Sequence, residues 1–304
     1  MESNPNNPNT PVLQHSSTPG SSSVRDILSA IFTSLTAAGV DEARLKAEYV
    51  MAHTLKCKRL ELALRGEEEL TPEQNSETDA FAARLIQGEP LQYVLGETEF
   101  MGRLFTTDRR ALIPRPETEE LVQHVLDCEE IWCGEHPRVI DVGTGTGCIA
   151  ITFALARPHA DVCATDLSEP ALALARENAL RHGVERRVRF EKADLLGDIA
   201  PGSCDAVVSN PPYIKESEMV SLPLDVRCFE PREALAAGVD GLEVISGLVP
   251  AAYRALKSGG WLYMEIAEDQ GAPVRALMKR TAFENVEIRR DLTGMERFAC
   301  GRKG

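Results

Sequence analysis

From Ser23 to Gly88 apolar side chains recur every three or four residues. Ile27, Leu28, Ile31, Phe32 and Leu35 fall on one helical face, and Gly39 ends that helix. Asp41 stands where a cap is expected for a second helix carrying Ala43, Ala47, Val50, Met51 and Leu55. Thr71-Pro72-Glu73-Gln74 combines an N-cap, a proline at the first helical position and a capping-box glutamine. The helix it opens runs through Phe81 and Leu85 and stops at Gly88, before Pro90. Residues 24–90 therefore read as a small bundle of short helices, with nothing in it that looks catalytic. In residues 91–116 the pattern changes. Phe100-Met101-Gly102-Arg103-Leu104-Phe105 predicts a short hairpin, and Pro114 and Pro116 hold the next stretch extended, which makes this segment a hairpin linker.

Over residues 117–304 short apolar runs alternate with helical patterns. Strands are predicted at 139–142, 161–166, 188–190, 205–209, 260–266, 283–289 and 296–301, with helices at 149–156, 169–182, 241–256 and 271–281. Strand–helix alternation predicts an α/β fold with a mainly parallel seven-stranded sheet covered on both faces. The last two strands have no convincing helix between them, so one strand is expected to be antiparallel.

Composition narrows the classes of function. The 304 residues are 43% hydrophobic and 26% charged, enough to bury a sizeable core. Thirty-three Lys and Arg against 47 Asp and Glu leave a net charge of −14, which argues against general binding to a phosphate backbone. No apolar run is long enough to span a membrane. Residues 1–23 are rich in Asn, Pro, Ser and Thr and are expected to be a disordered tail without targeting features, which points to the cytoplasm. Eight cysteines show no C-x-x-C spacing and sit mostly in apolar stretches, so no metal is expected and they read as buried thiols in a reducing compartment.

Asp141-Val142-Gly143-Thr144-Gly145-Thr146-Gly147 lies where the first strand of this region meets its first helix. Glycines there let the backbone turn sharply and approach a ligand. Asp166 ends the next strand, placed to accept hydrogen bonds from ribose hydroxyls. These residues leave three readings open: a tight turn without a ligand, a dinucleotide site, and an S-adenosylmethionine site. The dinucleotide pattern is G-x-G-x-x-G, and here the third glycine comes one residue early.

Ser209-Asn210-Pro211-Pro212-Tyr213 follows the fourth strand. Two prolines explain a rigid turn but not the asparagine before them or the tyrosine after them. A methyl donor needs a nucleophile placed in line, and a planar NH₂ group is a poor one because its lone pair is delocalised. Two acceptors on its two N–H groups would orient it and stabilise the developing positive charge. Asn210 offers a side-chain carbonyl, Pro211 a backbone carbonyl braced by Pro212, and Tyr213 a flat ring to lie against the group. Adenine N6 and the glutamine amide both suit this arrangement.

The likeness reaches further. Pro90 to Gly96, Phe100-x-Gly102, Leu112 to Glu119, Asp141 to Gly147, Val208 to Ile214, Phe229-Glu230-Pro231, Asp240-Gly241-Leu242 and Asp291-Leu292-x-Gly294-x-x-Arg297 occur in one order. In that order they resemble the HemK/PrmC family of protein-(glutamine-N5) methyltransferases over residues 25–302. The resemblance implies a class I methyltransferase (Rossmann-like) fold at 117–304, preceded by a helical substrate-docking domain. It implies that Gly143, Thr144, Gly145, Thr146, Gly147, Asp166, Asp194, Leu195 and Asn210 contact S-adenosyl-L-methionine. It further implies that Asn210, Pro211, Pro212 and Tyr213 bind the glutamine of the Gly-Gly-Gln motif in peptide chain release factors, with Asn210, Pro211 and Tyr213 catalytic. Leu195 stands where some members carry an aromatic residue, and Ala267 where many have glycine. An adenine-N6 nucleic-acid methyltransferase is the alternative, and a non-catalytic nucleotide- or protein-binding module a third reading. The sheet region's one compact basic cluster, Arg186, Arg187 and Arg189, is interleaved with Glu185 and Glu191, which disfavours a nucleic-acid target.

Overall fold

The computed structural model describes residues 23–304. All of the expected tail except Ser23 lies outside the described residues. The chain divides into two compact units between Leu95 and Gly96.

The first unit is helical. Helix α1 (Val24–Ala37) is capped by Ser23 and buries Val24, Ile27, Ile31 and Leu35 along one stripe. Helix α2 (Ala43–Thr54) starts differently from expectation. Glu42 adopts a left-handed φ of 52°, and no side chain caps the helix. Asp41 is thereby separated from the helix start by a backbone reversal. A 3₁₀ turn (Arg59–Leu64) leads to α3 (Pro72–Ile86), whose Thr71 and Gln74 form the reciprocal capping box. The Arg84 guanidinium binds Glu89 and the carbonyls of Tyr93 and Val94, tying α3 to α4 (Leu91–Leu95).

The second unit opens with the hairpin β1 (Glu97–Phe100) and β2 (Arg103–Thr106). Met101 and Gly102 both take positive φ, at 50° and 71°, which suits a two-residue turn. Phe100 and Phe105 pack edge to face beneath it, with ring centres 6.0 Å apart. Helices α5 (Pro116–Leu126) and α6 (Glu129–Trp132) precede the sheet.

The sheet then alternates with helices. In chain order come β3 (Arg138–Val142), α7 (Cys148–Ala156), β4 (Asp161–Asp166), α8 (Glu169–Arg181), β5 (Val188–Lys192) and β6 (Cys204–Ser209). The short α9 (Leu224–Phe229), α10 (Glu243–Ala255), β7 (Leu256–Glu265), α11 (Gly271–Arg280), β8 (Phe283–Arg290) and β9 (Glu296–Lys303) complete it. The spatial order is β5-β4-β3-β6-β7-β9-β8, with β9 running antiparallel to both of its neighbours. Side chains alternate between faces with a period of two. Val139 packs with α5, α7 and the hairpin, whereas Ile140 and Val142 pack with α10 and α11. The fifth strand begins at Leu256, earlier than the predicted Gly260, because α10 passes directly into β7 and the register shifts between Cys204 and Ala206. Four cysteines (148, 163, 204 and 300) are buried as expected, but Cys133 and Cys228 are exposed. Their apolar neighbours in sequence do not cover them.

Asn178 on α8 joins parts that the sequence keeps far apart. Its Oδ1 accepts the Thr106 N–H at 2.7 Å, while its Nδ2 donates to the carbonyls of Thr106 and Thr146, each at 2.9 Å. Asn178→Ala leaves these groups without a partner, and a loss of about 2–4 kcal/mol is expected. Urea unfolding with an unchanged m-value would show it; a midpoint equal to that of the parent would contradict it.

Candidate active site

A cavity of about 560 Å³ opens at the carboxyl edge of the sheet. Its walls include Gly143 to Thr146, Asp166, Asp194, Leu195 and the stretch Ser209 to Pro212. Two candidates lie apart from it. Gly147 is buried, with φ 82°, and a Cβ there would stand 3.0 Å from Ile151 Cδ1 and 3.1 Å from Ala175 Cβ. Its position allows α7 to pack closely on α8. Tyr213 is not a lining residue of the cavity and is held beside Glu265 instead.

The glycine turn is organised from beneath by Asp141. This fully buried carboxyl accepts the Thr144 hydroxyl at 2.6 Å and the Ala150 N–H at 3.2 Å, both on Oδ2. Burial pushes its pKa up to about 7. Gly143 and Thr144 donate their N–H groups to the Thr165 carbonyl, pinning the turn to β4. Asp166 sits at the end of β4, where Oδ2 accepts the Gly145 N–H and Oδ1 the Ser168 N–H, each at 2.9 Å. Burial raises the Asp166 pKa, and those two N–H groups oppose the rise.

The asparagine of the tetrapeptide is part of a buried chain of hydrogen bonds. Asn210 Nδ2 donates to Thr118 Oγ1 at 2.9 Å, and Thr118 Oγ1 donates to Glu265 Oε2 at 2.8 Å. Tyr213 donates its hydroxyl to Glu265 Oε1 at 3.1 Å. Glu265 is 1% exposed, and burial raises its pKa to about 7. The buried Gln270 donates to the carbonyls of Tyr213 and Gly241, bracing the backbone after the prolines. Glu230 accepts Arg115 at 2.5 Å and the Ile113 N–H at 3.2 Å, linking the proline-rich segment to the Phe229-Glu230-Pro231 motif. Of these partners, Thr118 and Glu265 have no assigned chemistry in the sequence. One signal for Glu265 was available: like Asp166, it is a carboxylate ending an apolar strand.

A glycine-rich turn after β3, a carboxylate ending β4 and a sheet of this order define a class I, S-adenosylmethionine-dependent methyltransferase. Residues 26–96 match the PrmC N-terminal domain family, and residues 118–225 match the methyltransferase small domain family. The chain is 42% identical to the release factor glutamine methyltransferase of Nitratidesulfovibrio vulgaris, covering 88% of this chain and 91% of that protein. It is also 42% identical to the enzyme of that name from Deinococcus radiodurans, covering 92% and 98%. The solved catalytic domain of hMettl16, in complex with a 3′UTR hairpin, shares the fold with a TM-score of 0.53 at 16% identity, over 75% of this chain and 81% of that one. The chain belongs to the release factor glutamine methyltransferase family. Among the described residues no helix is long and apolar enough to cross a membrane.

The site fits the cofactor. Its volume falls within the range of about 300–1,000 Å³ usual for small-molecule sites. Each Asp166 oxygen accepts one backbone N–H and keeps a second acceptor direction, which suits a vicinal diol. Pro170, Ala171, Leu195 and Val244 supply apolar wall for a flat base. Gly143, at φ 72°, has no atom within 4 Å of where a Cβ would stand, so the backbone there is open to close approach.

Two expectations follow. Asp166→Ala removes a charged acceptor from the cavity and should raise the cofactor Kd about tenfold to a hundredfold, equivalent to about 1.5–3 kcal/mol. Calorimetric titration measures this, and an unchanged Kd would exclude Asp166 from cofactor binding. Asp141 carries a pH signature. Its folded pKa is raised from 3.8 to about 7, so between those values the folded chain holds a proton that the unfolded chain has released. Its contribution to stability is therefore lost as pH rises through that window, by about 1 kcal/mol per pH unit. Asp141→Asn keeps an oxygen for Thr144 and Ala150 without titrating, so its stability relative to the parent should climb from pH 4.5 to 7. Parallel slopes in urea unfolding at several pH values would contradict this.

Proposed function

We propose that this protein methylates the side-chain amide nitrogen (N5) of the glutamine in the Gly-Gly-Gln motif of peptide chain release factors, with Asn210, Pro211 and Tyr213 acting on the substrate side. The observation that carries this reading is that Asn210, Pro211 and Pro212 line the same cavity as Gly143, Gly145 and Asp166. When bound, S-adenosylmethionine supplies an electrophilic methyl carbon whose bond to sulfur breaks as the bond to nitrogen forms, the electron pair staying on sulfur. In this reading Gly143 to Thr146, Asp166, Asp194 and Leu195 hold the cofactor, and Gly147 supports the turn from behind. Asn210, expected at both ligands, borders the cofactor but spends its hydrogen bond on the substrate.

The substrate amide nitrogen must present its lone pair despite conjugation with its carbonyl. Asn210 Oδ1 and the Pro211 carbonyl accept its two N–H groups, orienting the nitrogen and stabilising the positive charge that builds on it. Two prolines in succession restrict the backbone, so those acceptors need little reorganisation. The half-buried Tyr213 ring, outside the cavity lining, is the surface against which the amide would lie, its hydroxyl held by Glu265. Once alkylated, the nitrogen gives its extra proton to solvent, so no dedicated base is assigned.

Residues 24–90 are the proposed docking region for the release factor, and a substrate that acts in translation goes with a cytoplasmic reaction in this reading. The proposal includes neither a nucleic-acid target nor a membrane. Incubation with a bacterial release factor and labelled cofactor, followed by mass spectrometry, should place the label on the Gly-Gly-Gln glutamine. Asn210→Ala should lower turnover about a hundredfold or more while leaving the cofactor Kd within about twofold. Normal turnover with lost cofactor affinity would refute the assignment of Asn210 to the substrate, and label on nucleic acid alone would refute the substrate class.

A further inference from the structure

We propose that Thr118 and Glu265 are positioning residues that determine which end of the Asn210 amide meets the substrate. This rests on reading Asn210 as an acceptor for the substrate N–H. An asparagine amide has nearly the same shape when its oxygen and nitrogen exchange places, so only its hydrogen-bond partners choose between the two orientations. An exchanged Asn210 would present N–H groups to the N–H groups of the substrate and oppose binding at the point of reaction.

The chain of partners gives Asn210 one direction. An ionised Glu265 can only accept, so the Thr118 hydroxyl spends its single proton on Oε2, at 2.8 Å. Thr118 Oγ1 then meets Asn210, at 2.9 Å, only through a lone pair. That contact demands an Asn210 N–H and turns Oδ1 the other way. Thr118 and Glu265 are 3% and 1% exposed, so water does not compete for these contacts. The second Glu265 oxygen accepts the Tyr213 hydroxyl at 3.1 Å. One carboxylate therefore orients the residues on either side of Pro211-Pro212.

The charge state of Glu265 sets the direction of the chain. Burial favours its protonated form, as does Glu117 on α5, while Arg297 on β9 and the hydroxyls of Thr118 and Tyr213 favour the ionised form. Arg297 is itself paired with Asp291 at 3.3 Å. Protonated Glu265 can donate to Thr118, freeing that hydroxyl to donate to Asn210, which then accepts through Oδ1. The oxygen is withdrawn from the substrate, so turnover should fall on acidification below about pH 7.

Thr118→Val keeps the shape and removes the hydroxyl, whereas Thr118→Ser keeps the hydroxyl. With the full-length protein, a bacterial release factor and labelled cofactor, Thr118→Val should lose about a hundredfold in kcat. Its cofactor Kd should remain close to that of the parent, while its thermal midpoint should fall by several degrees because two buried groups lose a partner. Thr118→Ser should restore the midpoint, and kcat to within a few-fold. Glu265→Gln can present either an oxygen or an N–H to Thr118 and does not titrate, so its kcat should fall and the turnover that remains should lack the acid limb of the kcat–pH profile. Parent-like kcat in Thr118→Val would overturn the proposal, as would an acid limb that persists unchanged in Glu265→Gln. Asn210→Ala separates the two levels. If it abolishes transfer while Thr118→Val does not, only the positioning role falls; if it leaves transfer intact, the reading of Asn210 falls and the positioning role with it.

Discussion

β4, β3, β6 and β7 run parallel as successive neighbours, and their pairings bring Thr165 opposite Val142, Val142 opposite Ser209, and Ser209 opposite Met264. Parallel pairing of this kind makes all four chains leave the sheet along one line. The glycine turn, the Asp166 carboxylate, the Asn210 tetrapeptide and Glu265 each occupy the last residue of a strand or the first residues after it. Antiparallel pairing among these four would have divided them between opposite edges. Ligands bind at the carboxyl edge of such sheets because the loops diverge there and leave a crevice. The two-sided burial that helices impose on a parallel sheet keeps that edge in register.

Acidic side chains placed inside this edge are held in different ways. Asp141 and Glu265 are fully buried and are pushed towards their neutral forms, with hydroxyl and backbone donors opposing the push. Glu230 is buried beside Arg115, where a cation and a backbone N–H offset the loss of hydration. Glu230 ties the proline-rich segment to the loop after α9 and Glu265 the start of α5 to the tetrapeptide, segments distant in sequence, while Asp141 braces the glycine turn locally. Burying an acid is costly unless its oxygens find donors. Acids at these positions therefore demand one arrangement of the surrounding segments, and titratable groups shifted in this way gather where chemistry is done.

The features legible in the sequence share a short range. The capping box at Thr71 and Gln74, the hairpin turn at Met101 and Gly102, the glycines after β3 and the prolines after Asn210 all act through backbone angles and contacts within a few residues. A mainly parallel seven-stranded sheet with one antiparallel member was also legible, because alternating strand and helix patterns restrict the connections available, whereas the spatial order of the strands was not. Asp41 shows where the local rule failed. A good capping residue stood at the right place, but a left-handed Glu42 took the chain into α2 by another path. Gly147 shows a subtler case: its glycine is required, but by the contact of α7 with α8 and not by the cavity.

The residues that orient the tetrapeptide were beyond the reach of such reading. Asn210 meets Thr118 across 92 residues, and Thr118 meets Glu265 across 147. Thr118 is by sequence only a residue in the first turn of a helix, and Glu265 only the polar end of an apolar strand. By itself, the sequence determined most of the elements, the family and most of the residues that face the cavity, with Gly147 and Tyr213 standing apart from it, since backbone geometry and motif spacing are local properties. Only the tertiary structure decided which way the Asn210 amide points. A hydrogen bond has a direction, and that direction is set by a partner brought near when the sheet closes.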